Sequence, residues 1–284
     1  MTEADLDATV KAQLAAFTDL DRRNNDPVPD ITDAMVERQR VRHQHFLEHD
    51  PDGAFVAVAD DAVVGCGLAL RRDSLWGLSL LVVDPAVQST GAGRKLLDAT
   101  LRYAEGCDLG VILSSNDHRA IRAYATSGLS LFPQVMASGK PTLDKAPKSV
   151  TRVRDASAAD ADFANEIDRL VRGAGRGPDH AWIIKIAPMY VVDDKAGRGY
   201  AYLRNGEVYL LAATDEDTAT TLLWRCFAHA ADEGIDATVE HITGEQQWAI
   251  SAALDARLSI KPGGPVFWRG TTPPRAYIPS GAFL

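Results

Sequence analysis

The sequence lacks the features that mark several classes of protein. Its three cysteines, Cys66, Cys107 and Cys226, are odd in number and far apart, so they provide neither a disulfide framework nor the spacing of zinc ligands. No apolar run reaches eighteen residues, and the start Met1–Leu6 lacks the basic and apolar segments of a secretion signal. We therefore expect a cytoplasmic protein with no metal site, no membrane contact and cysteines that serve packing.

Positive charge is also scarce. The chain has 30 Lys and Arg against 39 Asp and Glu, a formal net charge of −9, and no basic patch interleaved with aromatic residues. Nucleic acid is therefore not an expected partner, and a cationic substrate is slightly favoured. With 284 residues, 46% of them hydrophobic, the chain is long enough to bury two cores.

A glycine-containing loop follows an apolar run over residues 82–97. Gly91 and Gly93 allow backbone N–H groups to approach an anion, and the helix expected to open there adds unpaired donors and its positive dipole end. The loop is not a P-loop, which needs Gly-Lys-Ser/Thr, nor a dinucleotide fingerprint, which needs a third glycine where Leu96 stands. Taken alone, a bare turn with an N-terminal glycine explains it equally well.

A second motif lies downstream. The run 109–114 predicts a short buried strand, residues 115–117 are typical of a helix start, and Gly128 is placed to end the helix. One face of that helix carries Ala120, Ile121, Tyr124 and Ala125. By itself, Tyr124 could be a simple aromatic residue on an amphipathic helix.

Together the two motifs resemble the GCN5-related N-acetyltransferase (GNAT) family over about residues 1–140. That family carries Gln/Arg-x-x-Gly-x-Gly/Ala on a strand-to-helix loop, which Gln88, Gly91 and Gly93 match in full. Across the next strand and helix it carries Asn, Ala, Tyr and Gly-Phe. The matching residues here are Asn116, Ala120, Tyr124 and Gly128, with Leu129 in place of the phenylalanine.

The resemblance implies that the protein binds acetyl-CoA, and it assigns a role to each motif. Backbone groups of the strand at Leu81, Val82 and Val83 would hold the acyl-CoA, and Asn116 would bind its pantetheine arm. The pyrophosphate would lie on the loop formed by Gln88, Ser89, Thr90, Gly91, Ala92, Gly93, Arg94 and Lys95. Tyr124 would protonate the departing thiolate, a role that suits a phenol because its ordinary pKa near 10 keeps it protonated at neutral pH.

The general base is not evident from the sequence. An alkylamine with a pKa of about 10 is mostly ammonium at pH 7, and exposing its lone pair costs about 4 to 5 kcal/mol unless a base removes the proton. Family members often carry a glutamate on the strand before the loop, but residues 74–83 contain no carboxylate. His118 is a candidate base, and a solvated histidine at a helix start is the alternative.

The resemblance implies an α/β (α+β) fold of two tandem GNAT-like domains, each a mixed, mostly antiparallel sheet flanked by helices. We expect a catalytic domain over residues 1–140, a linker at 141–150 that overlaps the Pro- and Lys-rich stretch 138–149, and a degenerate domain with a C-terminal tail over 151–284. In the first half, the pattern predicts helices over 4–17 and 33–49. The loop 18–32 between them borders the acceptor site by resemblance, or is a plain surface connector.

The second half repeats the order of the first. Strands are predicted at 189–192, 199–203 and 207–213, the last two joined by an Asn205-Gly206 hairpin turn, followed by a helix, a strand at 237–242 and a helix over 245–258. Residues 249–258 align with 120–129 without a gap, which places Ala253 where Tyr124 stands. The loop shrinks to the acidic stretch 214–217, which would repel a pyrophosphate. The second copy is therefore predicted to be inactive, and the tail 271–284 to run extended over a surface.

Two functions fit this sequence. The favoured one is an acetyl-CoA-dependent N-acetyltransferase that acts on the amine of a small molecule, with Tyr124 as general acid. The alternative is a non-catalytic acyl-CoA-binding or regulatory protein, suggested by the missing strand carboxylate. Retention of Tyr124 favours the enzyme, since binding alone does not need a phenol there. The acceptor, the base and the oligomeric state remain open.

Overall fold

The computed structural model describes residues 1–284 and divides the chain into two compact units. The first comprises Met1–Arg71 and Trp76–Gly110, and the second comprises Arg72–Leu75 and Val111–Leu284. The strands form two mixed sheets flanked by helices, which confirms the predicted fold class. The boundaries at residues 140 and 150 stay predictions. No helix is both long and apolar enough to cross a membrane.

The first unit begins with two helices, continues with three strands, and ends with a helix and the start of a fourth strand. Its elements are α1 (Leu6–Asn24), α2 (Asp33–His49), β1 (Ala54–Ala59), β2 (Ala62–Arg72), β3 (Leu75–Val83), α3 (Ala92–Tyr103) and β4 (Leu109–Leu113). Helix α1 extends seven residues beyond the predicted end, so the prediction of a loop from Thr18 was wrong. Residues 18–24 are polar enough to look like a loop, but the first helix breaker is Pro27.

Helices α1 and α2 meet at a buried histidine. The ring of His43 lies 2.9 Å from Thr9 Oγ1 through Nδ1 and 2.7 Å from Gln13 Oε1 through Nε2. Burial lowers the pKa of His43 to about 3, with a smaller contribution from the charge of Arg42, so the ring is neutral near pH 7. His43 thus joins the two helices as a hydrogen-bonding core residue.

The second unit holds the remaining helices and strands. They are α4 (His118–Ala125), β5 (Ser130–Phe132), β6 (Gln134–Gly139), β7 (Arg154–Asp155), α5 (Ala161–Arg172), α6 (Asp179–Ile183), β8 (Met189–Asp194), β9 (Gly197–Arg204), β10 (Glu207–Ala213), α7 (Glu216–Asp232), β11 (Ala237–Thr243), α8 (Gln247–Asp255), β12 (Ser259–Pro262), β13 (Val266–Arg269) and β14 (Tyr277–Ile278). The larger sheet runs β12-β6-β11-β10-β9-β8-β7, with β14 paired to β10. Asn205 and Gly206, at φ 50° and 82°, form the predicted hairpin turn.

The internal repeat is present in the structure. The ungapped register that lays Ala249 on Ala120 also lays the first residue of α8 on the first residue of α4, and the first residue of β12 on that of β5. In that register β6 corresponds to β13. The two strands are exchanged between the sheets, because β6 lies in the larger sheet and β13 in the six-stranded sheet. Strand β6 lies between β11 and β12, whereas β13 lies between β4 and β5. Ser138 and Gly139, the first residues of the Pro- and Lys-rich stretch, belong to β6.

The C-terminal tail is buried, so the prediction that it runs over a surface was wrong. Tyr277, Ile278, Phe283 and Leu284 are at most 1% exposed. Arg176 holds this segment: Nη1 donates to Phe283 O at 2.6 Å and Nη2 donates to the Tyr277 hydroxyl. The start of the tail is polar and proline-rich, which is typical of a surface segment. The prediction extended that interpretation to the apolar end of the tail.

We expect Arg176→Met to lower the free energy of unfolding by about 3 to 5 kcal/mol. Arg176 is fully buried and lies 3.0 Å from Asp168, so its removal leaves that carboxylate charged in the core. Urea denaturation measures the effect. The matched control is Arg169→Met, since Arg169 pairs with Asp73 at the surface and should change stability by about 1 kcal/mol or less. Equal effects of the two variants would show that the buried ion pair contributes nothing.

Candidate functional site

The loop between β3 and α3 is folded by its own side chains. Asp84 Oδ1 accepts a hydrogen bond from Ala86 N at 2.9 Å, which starts a 3-10 turn over Pro85–Val87. Gln88 Nε2 donates to Val83 O at 3.0 Å, and Thr90 Oγ1 donates to Val87 O at 2.8 Å. Gln88, predicted as a cofactor ligand, therefore also ties the loop to the end of the strand.

Gly91 opens helix α3 with a backbone geometry that suits glycine. Its φ is 91°, in the left-handed region, and no atom of the protein lies within 4 Å of the position that a Cβ would take. The first helical hydrogen bond runs from Lys95 N to Gly91 O at 3.1 Å. The N–H groups of Ala92, Gly93 and Arg94 therefore precede the helical ladder and can donate to an anion.

The two cations of the loop have different surroundings. Arg94 pairs with Asp98 one turn along α3, at 2.9 Å, and is half exposed. Lys95 is exposed and forms no ion pair. The positive charge that this loop offers to a ligand therefore comes chiefly from Lys95 and the helix N-terminus. The predicted positions 81–83 and 88–95 are the end of β3 and, after it, the loop and first turn of α3.

The remaining predicted residues, Asn116 and Tyr124, belong to the second unit. Asp117 caps α4 by accepting from Arg119 N at 2.8 Å, as expected for a helix start. Asn116 precedes this cap, is exposed, and has no hydrogen bond to the protein. Its amide is available to a ligand.

Tyr124 has a buried ring and an unbonded hydroxyl. The residue is 6% exposed, and its ring packs edge-on against Phe267 with 5.6 Å between centroids. No group of the protein hydrogen-bonds its hydroxyl. Burial raises the pKa of Tyr124 well above the ordinary value, and the charge of Asp117 raises it further. The phenol therefore stays protonated and can donate a proton to a ligand.

Sequence reasoning missed two residues that support this site. Phe267, on β13, fixes the Tyr124 ring from a strand about 140 residues away in the sequence. A Cβ on Gly264 would lie 2.1 Å from Ser114 O, so only glycine fits beneath the backbone that leads to Asn116. The Gly263-Gly264 pair before an apolar run was the available signal for a strand start, but nothing local indicated its neighbour.

His118, the candidate base, is exposed in the first turn of α4 and has no hydrogen bond to the protein. This is the arrangement of a solvated histidine at a helix start. The nine residues of β3 include no acid, as the sequence indicated. Nowhere in the chain do three or more His, Cys, Asp or Glu residues cluster as a metal site would require.

The segment of the second half that corresponds to the end of β3 and the loop after it differs from them in two ways. Asp215, Glu216 and Asp217 stand at the start of α7, where Asp215 accepts from Thr218 N at 2.8 Å and Glu216 pairs with Arg275 at 2.8 Å. Strand β10 pairs with β11 only at Glu207 and then with β14, through Leu211 and Ala212. The strand edge that matches the end of β3 is thus occupied by the tail.

Comparison with known proteins gives a family match for part of the chain and a fold for the whole of it. Residues 15–129 match the model of the acetyltransferase (GNAT) family. A crystal structure from Pyrococcus horikoshii, described as a candidate acetyltransferase, is 18% identical over 100% of this chain and 94% of its own, with a TM-score of 0.75. The GCN5-related N-acetyltransferases of Kribbella flavida and Sphaerobacter thermophilus are 17% and 15% identical over 95% of this chain and 70% and 93% of their own, each with a TM-score of 0.57. No protein with a curated description matches the chain.

Proposed function

We propose, from the premise that residues 15–129 are a domain of the acetyltransferase (GNAT) family, that this protein is an acetyl-CoA-dependent N-acetyltransferase acting on a small-molecule amine. The observation that carries the proposal is Tyr124. A buried phenol without an internal hydrogen bond, held protonated by its surroundings, is suited to donate a proton during catalysis. A protein that only bound acyl-CoA would not need it.

The loop 88–95 fits the pyrophosphate of acetyl-CoA. It offers three unpaired N–H groups, the positive end of a twelve-residue helix and the free ammonium of Lys95. The open space at Gly91 allows an anion to approach the backbone closely. Gln88 and Thr90 hold the loop in this shape, and the exposed amide of Asn116 is assigned to the pantetheine arm.

The proposed reaction moves the acetyl group from sulfur to nitrogen. The C–N bond of the amide forms, the C–S bond of the thioester breaks, and the amine loses one proton. Tyr124 gives its hydroxyl proton to the leaving thiolate and recovers a proton from solvent. The proton from the amine passes to water or to a base outside β3, because that strand carries no acid.

One acetyl-CoA should bind per chain. In the second half the acids 215–217 repel a pyrophosphate, and β14 occupies the matching strand edge. Isothermal titration with acetyl-CoA at low salt is expected to saturate at a stoichiometry of one. A stoichiometry of two would contradict the proposal that the second half has lost its cofactor site, and no binding would contradict the function itself.

A further inference from the structure

The first unit contains a cavity that is lined by none of the residues assigned above to acetyl-CoA or to catalysis. Its volume is about 660 Å³, within the range of small-molecule sites. Helix α1 forms one wall, the chain entering α2 forms another, and the turn after β3 forms the third. Its lining residues come from these three segments.

The interior of this cavity is apolar. Val10 and Leu14 line its α1 wall, and Ile31 and Val36 line the part formed by the chain at the start of α2. Ile31 is 53% exposed and Val36 is 37% exposed, so two large aliphatic side chains face solvent at one place. A ligand with an apolar group would cover them and gain the free energy of removing that surface from water.

Some charged residues of the cavity form ion pairs within the protein, and others do not. Asp7 pairs with Arg40 at 3.1 Å, and Asp19 pairs with Arg23 at 2.9 Å. Lys11 and Arg22, on the same helix, form no ion pair.

Asp84 uses one carboxylate oxygen to accept from Ala86 N and has no partner for the other. The cavity therefore offers two free cations on the α1 wall and one free carboxylate oxygen at the turn. A ligand that is itself a zwitterion would match both.

We propose that this cavity binds the acceptor and that the acceptor is a free α-amino acid with an apolar side chain. This inference rests on the proposed function. The positive charges of Lys11 and Arg22, spread along the α1 wall, attract the carboxylate, Asp84 binds the ammonium group, and the aliphatic residues contact the side chain. Asp84 directly follows Val83, so the amine is held at the end of the strand that is assigned to the acyl-CoA.

Other classes of amine fit less well. A polyamine would place a second positive charge against Lys11 and Arg22, and an apolar amine without a carboxylate would leave both cations unused. A polar amino acid would leave Ile31 and Val36 exposed. The cavity thus distinguishes amines by two separate features, the carboxylate and the side chain.

The test compares matched acceptors on the full-length protein. L-Leucine and L-phenylalanine are each compared with their decarboxylated forms, isoamylamine and phenethylamine, and with glycine. Titration calorimetry in the presence of CoA gives affinity, and acetyl-CoA-dependent thiol release gives kcat/KM. Both quantities should be about tenfold to a hundredfold higher for the two amino acids than for their decarboxylated forms.

Two variants test whether the preference for the carboxylate arises in this cavity. The double substitution Lys11→Gln with Arg22→Gln should remove the preference for the carboxylate. Arg23→Gln, which removes a neighbouring cation that is paired with Asp19, should retain it. The acetyl-CoA stoichiometry should stay at one in all three proteins.

Three outcomes overturn the inference while acetyl-CoA still binds: equal use of both members of a pair, a preference that survives the double substitution, and no binding of any apolar amino acid at millimolar concentration. The failure of acetyl-CoA to bind the wild type would instead overturn the proposed function.

Discussion

Tyr124→Phe is expected to lower kcat by about 10² to 10⁴ while leaving acetyl-CoA affinity near that of the wild type. The substitution removes only the hydroxyl, which has no hydrogen bond to the protein, so the ring should keep its packing against Phe267. The expected loss is in a step that needs a proton, not in binding. Stopped-flow or steady-state thiol release, combined with titration calorimetry, separates the two.

Tyr103→Phe is the matched control for this prediction. The Tyr103 hydroxyl donates to Asp50 Oδ1 at 3.0 Å within the first unit and has no assigned role in catalysis, so its removal should leave kcat within about a factor of two. Because burial and Asp117 raise the pKa of Tyr124, wild-type kcat should also show no loss from tyrosine ionisation up to about pH 9.5. An unchanged kcat in Tyr124→Phe would remove this residue from the mechanism.

Gly91→Glu is expected to abolish measurable acetyl-CoA binding. The substitution places a carboxylate at the start of α3, where the proposal puts a pyrophosphate, and it forces a side chain onto a φ of 91°. Repulsion between like charges in the anion site opposes binding directly. Titration calorimetry measures the loss, and circular dichroism verifies that the variant is folded.

Gly91→Asn separates charge from backbone strain. Asparagine tolerates the left-handed region better than other residues with a side chain, and the empty space around the Cβ position accommodates it. This variant should weaken acetyl-CoA binding far less than Gly91→Glu does. Normal binding by a folded Gly91→Glu protein would place the cofactor elsewhere.

The parts of the fold that could be predicted are those specified by local signals. The loop at Gly91, the cap at Asp117 and the hairpin at Asn205-Gly206 each depend on residues within a few positions of one another, and each is present. The family motif adds Asn116 and Tyr124. From these signals come the predictions of a tandem arrangement and of Tyr124 as the catalytic residue, and both stay predictions.

The parts that could not be predicted depend on contacts between distant segments. The exchange of β6 and β13 cannot be read from the residues of either strand. The apolar pattern of each strand would suit either sheet. Phe267 becomes a neighbour of Tyr124 only through that exchange. Burial of the tail depends likewise on Arg176, a cation that the sequence alone would place at the surface.

The measurement that tests the central claim most directly is the parallel formation of free CoA thiol and acetylated amine, quantified by thiol titration and mass spectrometry. A panel of apolar amino acids, polyamines, amino sugars and peptides would be incubated with acetyl-CoA and either wild type or Tyr124→Phe. The proposed function predicts equal amounts of thiol and N-acetyl product with one class of acceptor, and a rate that falls at least 10²-fold in the variant. One-site binding of acetyl-CoA with no product from any acceptor would contradict it and favour a binding protein.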